Sequence, residues 1–476
     1  MFHSFLFDDA EAQFRAAAIA DPACAMADWA QAIGLYRPLA YQPSDADMQK
    51  GWELIQKADE FKPKTPREKD YVEAAMLLYR PDARSYTQRN NEYSARLEKI
   101  HTAYSEDTEA AVFYALSVLT LADSGHPIED SEKAIAILNP IFSQHPDHPG
   151  MAHYIIHAAD APQLASQGLD AARHYAQIAP AAPHALHMPS HIFARLGLWQ
   201  EDIQSNLASL HAAQDPAANV GAENQLHAME FLEYAYLQIG QVERAKEMME
   251  AQKKISYDQV DPNLHDYVNR TRANSPALFY LETRNWKSAE ALTPDPQAEP
   301  QNQAITFWAQ AVAAGHLRDV SAVQAAVDQY DAMLELTTKG PRSHIAKYMA
   351  TKHDEAHAWL LLLQRKDVEA TETLRKLADK QDVEGKGEVE LPAREMLADM
   401  LLDMNRPADA LVEYEKSLKT DPNRFNGLYG AGKAAELQGA HDQAQKYYAQ
   451  LLRNCAAAQS KRPELAHASE SMRATR

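Results

Sequence analysis

Between Asn405 and Leu452 the chain uses the same short pattern twice, and that pattern limits the fold more than any other feature. In "NRPADALVEYEKSLKTDPN" (405–423) the small Ala410 is followed by Tyr414, and Pro422 stops the segment twelve residues after the alanine. "LYGAGKAAELQGAHDQAQKYYAQLL" (428–452) continues with Gly432, Gly439 and Ala444. Near the start, "ADPACAMADW" ends a segment in the same way, with Pro22 twelve residues after Ala10. A helix pair this short cannot bury its apolar face alone, so it has to be buried against the next pair. Glycines number only 16, Ala, Leu, Gln, Glu and Lys dominate, and apolar residues recur at three and four, which reads as helix nearly throughout.

These segments resemble tetratricopeptide repeats, units of about 34 residues with two antiparallel helices. The expected fold class is all-α, a right-handed α-solenoid of tetratricopeptide-like helix-turn-helix repeats with a concave groove. "GLWQEDIQSN" (197–206) and "GQVERAKEM" (240–248) match the turn between a unit's two helices, and Pro180 closes a unit. Those landmarks set units at 149–182, 183–216 and 226–259. The expected organisation is degenerate helical repeats over 1–105, a central repeat region over 106–259, degenerate repeats over 260–390, a C-terminal pair over 391–456 and a disordered tail over 457–476. Breaks are expected at 37–45, 293–301 and 381–391.

Composition removes several function classes. The 476 residues carry 67 acidic against 47 basic side chains, a net charge of −20, which argues against a nucleic-acid backbone or an anionic membrane as partner. Cys24 and Cys455 are the only cysteines and imply neither a disulfide framework nor a thiolate metal site. The longest apolar run, "AVFYALSVLTLA" (111–122), is too short to insert in a membrane, and "MFHSFLF" lacks the charged start and length of a signal peptide. Localisation stays open.

In tetratricopeptide repeats the second, fifth, ninth, twelfth and thirteenth places of each first helix line the groove; they form one helical stripe. In the first central unit those places hold His153, His157 and Asp160. In the second they hold His184, His187, His191 and Arg195, and in the third His227, Glu230 and Tyr234. The three units contain eight histidines, and six lie on the stripe. Neighbouring first helices pack roughly 8–10 Å apart, so the stripes aim imidazoles and carboxylates at one volume. Imidazole with carboxylate and no thiolate suits a transition metal such as zinc, iron, copper, manganese or nickel, and the number of donors suits two metals or one metal with supporting residues. Pro189 fits a first helical turn better than an interior. His184 and His187 are therefore expected on an irregular lead-in, with His191 on the helix proper.

Other motifs reduce to packing. "GLYGAGKA" (427–434) approaches a phosphate loop but lacks the final hydroxyl residue and follows no strand, and Gly432 occupies a small-residue packing place. "EGKGE" (384–388) reads as a polar linker, and no HExxH or GxSxG occurs.

"HPDHPGMAHYIIHAADAP", "AARHYAQIAPAAPHALHMPSHIFARLGLW" and "EYAYLQIGQ" resemble a family of bacterial tetratricopeptide-repeat proteins of largely uncharacterised function, with HYxIHxxD and HxxHMPSHIFxRLG segments. "FHSFLFDDAEAQFRAAAIADPACAMADWA" is similar to that family's N-terminal segment. The resemblance implies that His153, His157, Asp160, His184, His187 and His191 are motif residues. It also covers His3, which the register puts far along the solenoid, and His148 at a unit boundary. Relatives usually carry residues before this start, often an export signal.

The resulting expectation is a metal site in the groove formed by His153, His157, His184, His187, His191 and His227. Glu230 or Asp160 would serve as general base, while Arg195 and Tyr234 would bind a small molecule or short peptide. Hydrolytic and redox chemistry both remain open. The alternatives are a peptide-binding scaffold without catalysis, or metal storage and delivery.

Overall fold

The computed structural model describes residues 1–39, 42–121, 128–216 and 220–474, and every regular element among them is helical. The fold is all-α, built from tetratricopeptide-like helix pairs that pack in chain order. No helix among the described residues is long and apolar enough to cross a membrane. The chain forms two compact units, Met1–Ile192 and Phe193–Arg476.

Local sequence starts and stops these helices. Ser44 with Asp47, Thr65 with Glu68 and Ser85 with Gln88 form reciprocal capping boxes, satisfying backbone N–H groups that the first turn leaves open. Pro66, Pro149, Pro183, Pro300 and Pro407 stand in first turns, where a missing N–H costs nothing. The turn inside a pair passes through a left-handed residue, glycine at Gly197 (φ 62°) and Gly240 (φ 72°).

The stretch expected to be degenerate, 260–390, uses the same device without glycine. Arg284, Arg318 and Arg365 take φ of 55°, 61° and 66° in the turns between His265–Glu282 and Trp286–Glu290, Pro300–Leu317 and Val320–Lys339, and Ala346–Leu363 and Asp367–Glu384. These pairs bury Trp308 and Trp359 in the second unit's main core.

In the central stretch Pro149–Ala158 packs with Leu169–Ile178, and Glu223–Gln238 with Val242–Gln252. Between them, Pro183–His187 and Pro189–Arg195 precede Trp199–Ala213. The boundary between the compact units falls inside Pro189–Arg195. Repeat registers do not reveal such a boundary, because every pair contacts its neighbours in the same way.

Three local expectations need correction or completion. The tail is not disordered over its described part: Pro463–Ala474 is a helix. Its polar composition conceals a stripe of Leu465, Ala468 and Met472 that packs on the second unit's core, and the Arg462 guanidinium lies 3.8 Å from the centroid of the Phe425 ring. The "EGKGE" segment is tethered, not a free linker, because Lys386 pairs with Asp421 at 2.8 Å. "GLYGAGKA" lies in the helix Phe425–Leu437, where a Cβ on Gly432 would come within 2.5 Å of the Tyr448 ring.

The second unit also buries an ionic network. Arg424, 1% exposed, donates to Glu282 at 2.7 Å and to both Glu395 oxygens at 2.9 Å, while Asn426 donates to Glu282 at 3.0 Å. One guanidinium thereby links the chain start of Phe425–Leu437 to the helices His265–Glu282 and Ala393–Asp403.

Candidate metal centre

His153 and His157 lie four residues apart on Pro149–Ala158, which brings their rings to one side of that helix. His184 and His187 occupy a short helical turn, Pro183–His187, in place of the expected irregular lead-in. Pro189 then begins the helix that carries His191.

Three imidazoles converge in the first unit. His153 Nε2 is 3.0 Å from His184 Nε2 and 3.1 Å from His157 Nε2. The other ring nitrogen of His153 is 2.6 Å from the His3 carbonyl oxygen, to which only an Nδ1–H can donate. That bond fixes the tautomer, so the neutral ring presents its Nε2 lone pair to the other two histidines. His153 is fully buried, and burial together with the nearby His184 holds its pKa well below the usual imidazole value. It is therefore a neutral ring, the form that ligates metal.

Phe5 covers this group. Its ring centroid lies 4.4 Å from that of His153 and 5.4 Å from that of His184, nearly parallel to the latter at 17°. Tyr175 stacks on His153 from within the unit at 5.1 Å. Sequence reasoning missed Phe5, since an aromatic near a chain start carries no signal of its destination. It also put His3 far away, whereas the turn Phe2–Ser4 packs on Pro149–Ala158 and supplies the carbonyl that orients His153.

His187 and His191 form a second group. Their Nε2 atoms are 3.0 Å apart, His191 Nδ1 is 2.9 Å from Asp160 Oδ2, and Ser190 Oγ is 3.4 Å from His187 Nδ1. Asp160 is thus placed as a carboxylate that orients an imidazole. The five expected ligand histidines of the first unit, His153, His157, His184, His187 and His191, are divided between two groups. Three residues of helix separate His184 from His187, leaving about 60° between their directions.

The remaining expected residues belong to the second unit. Glu230 is buried there, accepting from Thr271 at 3.1 Å and Tyr267 at 2.5 Å, with His227 Nδ1 at 3.7 Å and Arg270 at 3.5 Å. Burial works against its ionised form, but Arg270, His227 and these donors prevail and bring its pKa to about 2. A carboxylate held ionised so firmly is a poor proton acceptor at neutral pH. Arg195 pairs with Glu388 at 3.3 Å. Tyr234 is 3% exposed; its hydroxyl donates to the Glu390 carbonyl at 2.9 Å and accepts from Arg424, which joins it to the buried network.

No protein-family model matches the chain, and no curated protein sequence matches it. Among solved structures it is similar to a human IFIT1 dimer with m7Gppp-AAAA at 12% identity and a TM-score of 0.38, over 90% of each chain. It is also similar to Naa15/Naa10 bound to HypK-THB at 13% identity and a TM-score of 0.25, over 94% of this chain and 68% of that one. The P58(IPK) TPR domain matches at 12% identity and a TM-score of 0.23, over 80% of this chain and 99% of that one.

Proposed function

We propose that the chain is a metal-dependent helical-repeat enzyme of the bacterial tetratricopeptide-repeat family carrying the HYxIHxxD and HxxHMPSHIFxRLG segments. His153, His157 and His184 hold a transition-metal ion, zinc, iron, copper or manganese, and the substrate is a small molecule or short peptide. The observation that carries this reading is the approach of two Nε2 atoms to His153 Nε2 at 3.0 and 3.1 Å. Tetrahedral zinc with bonds of about 2.0–2.1 Å needs ligand nitrogens about 3.3 Å apart, so the three rings fit an ion with small outward shifts. A bound ion would supply Lewis acidity at neutral pH.

The residues around the ion have separate tasks. The His3 carbonyl keeps the His153 lone pair directed at the ion, and Phe5 shields the group from water. Asp160 accepts from His191 Nδ1–H, which leaves His191 Nε2 as the proton acceptor of an aspartate–histidine couple. That couple replaces Glu230 as the general base, and His187, within hydrogen-bonding distance of the same nitrogen, shares the proton. The burial of His153 and His187, at 0% and 2% exposure, favours this reading over a peptide scaffold, whose donors would face solvent.

The test is metal analysis of full-length protein purified without a metal-affinity step. Stoichiometric metal is expected, with the trihistidine share lost in a His157→Gln/His184→Gln variant of unchanged helical content. A folded wild-type chain that binds neither zinc nor cobalt at micromolar concentrations overturns the proposal.

A further inference from the structure

Outside the trihistidine group, a second donor set is assembled from three segments that lie far apart in the sequence. His3 Nε2 is 3.2 Å from Glu109 Oε2, and His148 Nε2 is 3.1 Å from Glu109 Oε1. The three ligand atoms all lie within 4.8 Å of one another. Two imidazoles and a carboxylate form a donor set that binds zinc-like ions while leaving one coordination position open.

The framework holds His3 in place. His3 Nδ1 is 2.9 Å from the hydroxyl of the buried Tyr154, the kind of outer contact that fixes a ligating ring. The His3 ring lies so close to Gly150 that a Cβ there would sit 2.9 Å from it. Glu109 stands in the first turn of Thr108–Leu121, and His148 immediately precedes the helix Pro149–Ala158.

Phe5 roofs the trihistidine group, whereas His3 and Glu109 line a cavity of about 450 Å³. Phe14, Trp29, Tyr71 and Phe113 form much of its wall. That volume lies within the roughly 300–1,000 Å³ of small-molecule sites, and the aromatic wall suits a flat apolar body. Charge selects the head group. A divalent ion with one carboxylate and two neutral imidazoles retains a single positive charge, and Arg67 on the same wall is already neutralised by Asp107. A monoanion completes the balance.

We propose that His3, Glu109 and His148 bind a divalent transition-metal ion, and that the adjoining cavity takes an aromatic monocarboxylate whose carboxylate occupies the open metal position. The proposal rests on side chains other than those of the trihistidine group, so the two readings succeed or fail separately.

The experiment uses full-length protein stripped with chelator and reloaded with cobalt(II), with 3-phenylpropionate as probe. The His157→Gln/His184→Gln variant should retain this cobalt, and its visible d–d spectrum should shift when the probe is added. The Glu109→Gln/His148→Gln variant should lose that response and bind the probe at least tenfold more weakly by calorimetry, with circular dichroism unchanged. Each single substitution is measured as well, so that a misfolded double variant does not decide the outcome. The proposal is overturned by no cobalt in the folded His157→Gln/His184→Gln variant, or by a d–d spectrum there that ignores the probe. A folded Glu109→Gln or His148→Gln chain that keeps the full response overturns it too. A trihistidine group that binds no metal would show instead as a metal-free Glu109→Gln/His148→Gln chain.

Discussion

Replacing Glu233 with Gln should remove a large pH dependence from the second unit's stability. Glu233 lies on Glu223–Gln238 and is 3% exposed. Its Oε2 accepts from Gln252 at 2.9 Å and from Ser275, while Oε1 is buried without a hydrogen-bond partner. Burial dominates, and with the nearby Glu230 charge it outweighs those hydrogen bonds and lifts the carboxyl pKa to about 8 from the ordinary 4.5. Between those values the folded chain keeps a proton that the unfolded chain has released, so stability falls as pH rises. At about 1.4 kcal/mol per pH unit, this one group costs roughly 3–4 kcal/mol between pH 5 and pH 8. Glutamine keeps the shape and the neutral state at every pH. Urea unfolding of both proteins at pH 5, 6.5 and 8, followed by circular dichroism and by hydrogen exchange in Glu223–Gln238, should show the variant gaining on wild type by roughly 3 kcal/mol toward pH 8. A difference independent of pH, or one that grows toward acid, would refute the assignment of Glu233 as a buried neutral acid.

Other perturbations test the network, the site and the N-terminal turn. Arg424→Met should destabilise the second unit by about 3–5 kcal/mol in denaturant titrations, because it leaves Glu282 and Glu395 buried without their cation. His153 is depressed well below 6.5, so its contribution to stability is present above that value and is lost as pH falls below it. Metal-free first-unit stability should therefore decline from about pH 7 toward pH 5, and His153→Gln should flatten that decline. Bound metal should leave over the same range with uptake of protons, measured by metal analysis after equilibration at each pH; retention at pH 5 would count against histidine ligation. Gly150→Ala forces a Cβ to within 2.9 Å of the His3 ring and 2.8 Å of Val112. It should cost about 1–3 kcal/mol and weaken cobalt binding at the His3–Glu109–His148 group at least tenfold, read from the d–d spectrum.

Local interactions set what could be read early. Helical periodicity, capping boxes and first-turn prolines act within a few residues, so the all-α fold and the helix pairs at 149–182 and 226–259 are legible in the sequence. The four-residue spacing of His153 and His157 is local as well, and the repeat register brings His184 onto the neighbouring stripe. The repeats over 260–390 are hard to read for an equally local reason. Arg284, Arg318 and Arg365 hold the left-handed turn that glycine announces elsewhere, and nothing about an arginine advertises a positive φ.

Tertiary structure decided the rest, because it depends on segments that meet only after the helices pack. The amino-acid order does not tell that the His3 carbonyl selects the tautomer of His153, that Phe5 packs on its ring, or that Glu109 joins His3 to His148. Nor does it show that Tyr234 and Glu230, placed on the stripe by register, have their oxygens engaged by Arg424 in one case and by Arg270, Tyr267 and Thr271 in the other. A register assigns each side chain a face of its helix. Which of its atoms remain available depends on the hydrogen bonds and charges that other segments bring to that face, and those are set by packing across more than a hundred residues.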